Sequence, residues 1–200
     1  MRIESHSSRG SIVPSVTNVS FSPKATINCI GAPSFRSKAA RDLACLLDVD
    51  PEVDSWECLP LELSLEDFRH TPDFLVSYVT GQQRLLDACD AADARVPTAA
   101  AGAGYTYQFV RREERERGWR LRNARDLLRY GNHKCPLGDR IRVIAALDEV
   151  GSFSIAEGLS LFREITPVAG LAVLVLQRMV SMDLDEALIG PETIVRRIER

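Results

Sequence analysis

The stretch Arg69-His70-Thr71-Pro72-Asp73-Phe74-Leu75-Val76-Ser77-Tyr78-Val79, followed by Thr80-Gly81 and by Gln82-Gln83-Arg84-Leu85-Leu86-Asp87-Ala88-Cys89, decides the fold. Two β-rich runs on either side of a glycine-bearing turn read as a hairpin. Each run delivers one carboxylate, Asp73 at the start of the first and Asp87 near the end of the second. With the turn near Gly81 the two positions fall roughly opposite each other, which brings both carboxylates to one end of the sheet. Paired hard oxygen ligands of this kind suit Mg²⁺.

Upstream of the hairpin, Ala40, Leu43, Ala44 and Leu47 recur at spacings of three and four, so a helix runs from a cap at Ser34 or Ser37 to about Asp48. Asp50-Pro51 stops it. Val53 to Leu63 reads as a strand, and Thr26 to Ile30 as a short early one. Residues 1–24, rich in Ser, Pro and Asn, read as a partly ordered arm. Downstream, Pro97 opens a short helix that Gly102 and Gly104 end, and Tyr105 to Val110 alternates as a strand. Arg120 to Tyr130 places Leu121, Ala124, Leu127 and Leu128 on one helical stripe. The pieces make an α/β sandwich with a mixed sheet.

Gly131 to Gly138 reads as a loop and marks a domain boundary, so residues 25–135 and 136–200 are expected as two domains. In the second, Ile141 to Val150 is helical, Ser154-Ile155-Ala156-Glu157 has capping-box spacing, and Thr166-Pro167 opens a third helix to about Met182. Leu184 to Ile189 with Thr193 to Val195 is expected as a small hairpin. Three helices and a wing make a winged-helix-like domain.

Now the residues of the hairpin carry a resemblance. Pro-Asp on one strand and acid-x-Lys on the next is the signature of restriction-endonuclease-like nucleases, and the surroundings resemble the TnsA-type transposon endonucleases. Ser37-Lys38-Ala39-Ala40-Arg41-Asp42-Leu43, Asp48-Val49-Asp50-Pro51-Glu52-Val53, Trp56-Glu57-Cys58-Leu59-Pro60 and Leu121 to Tyr130 occur in that family's order, so the likeness spans about residues 24 to 130. The resemblance implies a restriction-endonuclease-like mixed sheet flanked by helices, a Mg²⁺ site at Asp73 and Asp87, and action on DNA in transposition. A transposase and a transposition ATPase are the partners it implies. Two positions depart from the pattern. Ala40 stands where the family has a metal-binding Glu, and Cys89 where it has the Lys of acid-x-Lys.

A methyl group binds no metal, and a thiol with an ordinary pKa of about 8.5 supplies no positive charge beside a phosphate. The expected site is therefore degenerate, with weak Mg²⁺ binding or none. Lys38 lies two residues before Ala40, about 200° around the helix, and so points elsewhere. Glu57 is the other substitute within sequence reach. Cys89 has no partnered His in the sequence and reads as a partly buried structural thiol rather than a nucleophile. The alternative reading is a non-catalytic pseudo-nuclease or an adaptor that binds DNA or a partner without cleavage.

Charge is unevenly spread along a chain whose net charge is −3. Acids predominate from Asp42 to Asp93, whereas Arg111 to Arg129 contains eight Arg against Glu113, Glu114, Glu116 and Asp126. Arg111, Arg112, Arg120, Arg122, Arg125 and Arg129 are the candidate phosphate contacts. The third helix of the second domain is unsuited to reading a groove, because Val168 to Leu176 offers no Arg, Lys, Asn or Gln. Its apolar face reads as core or as a protein-binding surface. Five unpaired-motif cysteines and no zinc-finger spacing with the three His suit a reducing, cytoplasmic setting. The first ten residues lack the apolar core of a signal peptide, and Leu171 to Leu176 is too short to span a bilayer, so no membrane role is expected.

Overall fold

The computed structural model of the chain describes residues 20–198. Most of the expected N-terminal arm lies outside the described residues. Ser37 has extended backbone, and its hydroxyl accepts the Ala40 N–H at 3.0 Å, which starts helix α1 (Lys38–Val49). Ala40, Leu43, Ala44 and Leu47 of α1 face the sheet, while Cys45 on another side joins a second buried cluster. Strand β1 (Val53–Cys58) follows, then a small hairpin of β2 (Leu63–Leu65) and β3 (Phe68–His70). The main hairpin is β4 (Phe74–Tyr78) and β5 (Gln83–Asp87). Its turn places Gly81 at φ +82°, where a side chain would be strained, and the Gly81 N–H donates to the Tyr78 carbonyl at 2.8 Å. Helix α2 (Arg95–Gly102) then crosses over to β6 (Thr106–Phe109).

The sheet order is β1-β4-β5-β6, with the β1–β4 and β4–β5 pairs antiparallel and β6 parallel to β5. Period-two alternation sends adjacent residues to opposite layers. Phe74, Val76 and Leu86 pack with Trp56 against Ala40, Leu43, Ala44 and Leu47 of α1. Leu75 and Leu85 instead pack with Val96, Ala99 and Ala100 of α2. The result is an α/β arrangement with a mixed sheet flanked by helices. The early strand expected at residues 26–30 is a single parallel bridge from Cys29 to Trp56. Asp48 holds that segment, because its Oδ1 accepts the N–H groups of Ile27 and Asn28 and the indole N–H of Trp56. Its Oδ2 is buried with no partner, and burial pushes this carboxyl up.

Beyond β6 the charged segment forms one turn, α3 (Arg112–Arg115), before α4 (Arg120–Leu128). The C-terminal region comprises α5 (Leu137–Val150), β7 (Ser152–Ser154), α6 (Ile155–Gly158) with its capping box, a 3₁₀ turn at Leu159–Leu161, α7 (Pro167–Leu176), β8 (Val180–Met182) and β9 (Ile194–Arg197). Its three strands are ordered β7-β9-β8. Two expectations need correction here. Helix α7 stops at Leu176, not Met182, because Arg178 adopts φ +54° and turns the chain into β8. The hairpin expected from Leu184 to Ile189 with Thr193 to Val195 does not form, and β9 pairs with β7 and β8. Instead, the Asp183 carboxylate accepts the N–H groups of Asp185 and Glu186 in a tight turn, and buried Asn123 of α4 hydrogen-bonds Leu184, Ala187 and Ile189 backbone at 2.7 to 3.0 Å. Leu184 joins a cluster with Cys45 of α1, Leu121, Ala124, Leu127 and Leu128 of α4, and Ala172 and Leu176 of α7. That cluster crosses the expected domain boundary, and Arg178 adds a hydrogen bond to the Asp50 carbonyl at 2.9 Å.

Helix α7 is a core helix: Ala169 to Leu174 are all buried. Among the described residues no helix is long and apolar enough to cross a membrane. The turn that leads into α7 is fixed by Asp139, fully buried in the first turn of α5. Its carboxylate accepts the N–H groups of Arg163, Glu164 and Ile165 at 2.9, 3.0 and 3.1 Å and pairs with Arg142. Burial alone would raise this carboxyl, but the three N–H donors and Arg142 together hold it down to about 2. A depressed carboxyl stabilises the fold above its unfolded pKa of about 3.9, and that stability is lost as pH falls through the folded value. Asp139→Asn is therefore expected to flatten the fall in stability between about pH 4 and pH 2, measured by acid titration of circular dichroism.

Candidate functional site

The two acids predicted from the hairpin meet at the end of β4 and β5. Because Phe74 pairs with Leu86, Asp73 stands next to Asp87 across the strand end, and the Asp73 N–H donates to Asp87 Oδ1 at 2.8 Å. Ala88 N–H donates to Asp73 Oδ2 at 2.9 Å. Both residues are buried, with 8% and 3% of their surface exposed. Two carboxylates this close and this dry need positive charge or hydrogen-bond donors to remain together.

Arg36 supplies the charge. Its Nε and Nη2 donate to Asp73 Oδ1 at 3.1 and 2.8 Å, and Nη2 lies 3.6 Å from Asp87 Oδ1. The remaining oxygen, Asp87 Oδ2, is 2.6 Å from His70 Nε2 and accepts the Tyr107 hydroxyl at 2.7 Å. Burial, reinforced by Asp87, pushes the Tyr107 phenol up, so that it stays a donor at neutral pH. All four carboxylate oxygens are thus engaged within the protein.

Local sequence explains how Arg36 comes to be there. Phe35 packs against Trp56 and Phe74 with ring centroids 6.2 and 6.4 Å away, and Arg41 lies 5.0 Å over its ring. Arg41 is itself buried and donates to the Pro23 and Ala25 carbonyls at 2.8 Å each. Ser34 N–H donates to Cys58 Sγ at 3.3 Å, and Ser37 caps α1. Anchors on both sides hold the backbone of residue 36 at the strand ends. His70 closes β3 three residues before Asp73, and Tyr107 sits on β6, whose Phe109 pairs with Asp87.

The other expected site residues fall differently. Ala40 is 1% exposed and packs in the α1-side cluster with Phe74 and Ala88, whereas Asp87 turns to His70 and Tyr107. Cys89 is half-buried just beyond β5, and burial, then Asp87 and Asp73, pushes its thiol up. It is neither a cation nor an activated thiolate. Lys38 pairs with Asp42 at 3.1 Å, away from the site. Glu57 pairs opposite Leu75 in the sheet register, one strand removed from β5.

Mg²⁺ needs open oxygen ligands and keeps several waters. Here Asp73 and Asp87 have theirs engaged, position 40 offers a methyl, and a guanidinium bridges the carboxylates. Among the described residues no set of three or more His, Cys, Asp or Glu side chains is gathered to hold a metal ion. The donors as arranged do not fit a Mg²⁺ ion unless Arg36 moves away.

The arginine candidates separate into two groups. Arg120 pairs with Asp185 at 2.8 Å, Arg125 donates to Asp42 of α1 at 3.0 Å, and Arg112 pairs with Glu116 at 2.9 Å. The first two join distant segments, so they act in packing. Arg111, stacked over Phe109, and Arg122 and Arg129 are exposed. Arg122, Arg125 and Arg129 recur at three and seven residues along α4 and share one face. Arg125, Arg129 and Lys24 line a cleft of about 540 Å³ at that face, beside Asp126. No protein-family model matches the sequence, and comparison with curated proteins finds no match.

Proposed function

We propose that the chain is a TnsA-like protein of a mobile element that acts on DNA in transposition, built on a restriction-endonuclease-like domain with a degenerate cutting centre. The observation that carries this reading is the meeting of Asp73 and Asp87 on adjacent strands of a mixed sheet, where Pro72-Asp73 and Asp87-Ala88-Cys89, matched to the family's Pro-Asp and acid-x-Lys, predict it. The C-terminal helices α5, α6 and α7 with the sheet β7-β9-β8 support the winged-helix-like reading of the second domain. Since α7 is buried, that domain offers no recognition helix of the groove-reading kind.

The Arg36 pair favours binding without cleavage over a working nuclease. Phosphate contact then falls to the exposed arginines of α4 and its neighbours. Arg122→Ala and Arg129→Ala are expected to weaken binding to duplex DNA to a similar extent for all sequences. The salt dependence should flatten by about one unit of slope per lost phosphate contact. Both variants should keep the wild-type Tm. Arg125→Ala, by contrast, should lower Tm, because it strips buried Asp42 of the cation on its Oδ1 and leaves only the exposed Lys38 on its Oδ2. Gel-shift titrations over a salt series measure the first effect and thermal denaturation the second. A wild-type protein that fails to bind duplex DNA at low salt would sink the DNA-acting reading and leave the protein-adaptor one.

A further inference from the structure

We propose that Arg36 is the permanent cation of the Asp73–Asp87 site, a tethered guanidinium that takes the place of a divalent metal and keeps one out. This deepens the degenerate-nuclease reading and rests on it for the identity of the site. The geometry itself stands apart from that reading. A shared cation is expected between facing carboxylate oxygens, and Arg36 Nη2 lies 2.8 Å from Asp73 Oδ1 and 3.6 Å from Asp87 Oδ1. The outer oxygens are turned away to Ala88 N–H, His70 and Tyr107. They add no open ligand on the far side.

Tethering is what makes the guanidinium a stable substitute. Phe35 in the aromatic cluster, Ser34 on Cys58 and the Ser37 cap fix its position from both sides. The backbone of residue 36 is therefore held at the strand ends, and the guanidinium, on a side chain that is 42% exposed, is kept within reach of the acids by the chain itself. A metal would have to displace it and leave that charge without its partner. The exchange also changes the chemistry. A guanidinium has no vacant orbital to accept a water oxygen, so the pair it neutralises cannot coordinate and ionise a water in the way a metal site does. Asp73 and Asp87 become anchors that tie the segment before α1 to the ends of β4 and β5.

Mn²⁺ alone, titrated into the full chain, tests the assignment by electron paramagnetic resonance of the free ion and by thermal denaturation. The wild type is expected to take up no Mn²⁺ that Asp73→Asn abolishes, and to keep its Tm as Mn²⁺ is raised. Arg36→Met and Arg36→Gln are expected to bind one Mn²⁺ per chain at least about tenfold more tightly than the wild type. Their Tm should be lowered without metal and restored by it. Adding Asp73→Asn to either variant should remove both effects. Folded Arg36 variants that take up no Mn²⁺, or a wild type whose Mn²⁺ uptake is lost in Asp73→Asn, would overturn the proposal. If neither variant folds, the wild-type arm still decides, because Asp73-dependent uptake refutes it and absence of uptake supports it. These outcomes are independent of the gel shifts: loss of DNA binding would remove the functional reading while leaving Arg36 as the cation.

Discussion

Supercoiled plasmid incubated with the protein and Mg²⁺ is expected to stay supercoiled. Metal-assisted cleavage of a phosphodiester needs a held metal, a placed water and positive charge at the scissile phosphate. Position 40 gives a methyl group in an apolar cluster, position 89 gives a thiol pushed up by burial, and Arg36 fills the space between the acids. Each missing electrostatic contact at such a centre costs about 10²- to 10³-fold in rate, by analogy with removal of one oxyanion-hole donor. Two such losses together leave turnover below detection. The double variant Ala40→Glu with Cys89→Lys is expected to remain silent, because Arg36 still bridges Asp73 and Asp87. Glu at 40 would also enter a cluster formed by Leu43, Trp56 and Phe74. Nicking is expected only when Arg36→Gln is added, and it should vanish again with Asp73→Ala. Gel quantitation of nicked circles measures these four proteins and the single Asp73→Ala variant. Wild-type nicking that disappears in Asp73→Ala would refute the degenerate centre.

The hairpin and the meeting of its acids were legible because a turn residue fixes register. Once Gly81 is the turn, counting outward puts Asp73 beside Asp87, and alternation assigns Leu75 and Leu85 to one layer and Phe74 and Leu86 to the other. The third and fourth partners could not be counted in this way. Tyr107 reaches Asp87 through β6, a parallel strand joined by the α2 crossover, and no short turn sets such a register. Arg36 reads in sequence as an ordinary residue before a helix cap. Only the packing of Phe35 on Trp56 and Phe74, which joins segments some distance apart in sequence, places it over the acids. The arginine-rich segment was legible as charge but not as pairing, since Asp42 and Asp185 are 83 and 65 residues from Arg125 and Arg120. In the C-terminal region the apolar residues Leu184 and Ile189 suggested a strand. They serve instead to dock that segment on α4, and Asn123 decides it from 61 or more residues away.

Asp87→Ala is expected to destabilise the fold by about 3 kcal/mol or more, even in a chelator-treated sample. The size follows from what the carboxylate holds: the buried Asp73 N–H at 2.8 Å, the Tyr107 hydroxyl, His70, and part of the field around Arg36. Removing it leaves the Asp73 N–H without its acceptor where Asp73 and Asp87 are 8% and 3% exposed, and each buried group stranded in this way costs about 1–3 kcal/mol. Asp87→Asn keeps an acceptor for the Asp73 N–H and should lose less than half as much. The contrast separates two accounts of the same pair of acids. Carboxylates held only for an absent metal repel one another, so deleting one would leave stability unchanged or raise it. Carboxylates already neutralised by Arg36 and satisfied by N–H, imidazole and phenol behave as structural partners, and deleting one breaks a buried network. Urea denaturation of the wild type, Asp87→Asn and Asp87→Ala, read as the shift in midpoint at constant m-value, decides between them. An Asp87→Ala midpoint at or above that of the wild type would sink the structural account and with it the role given to Arg36.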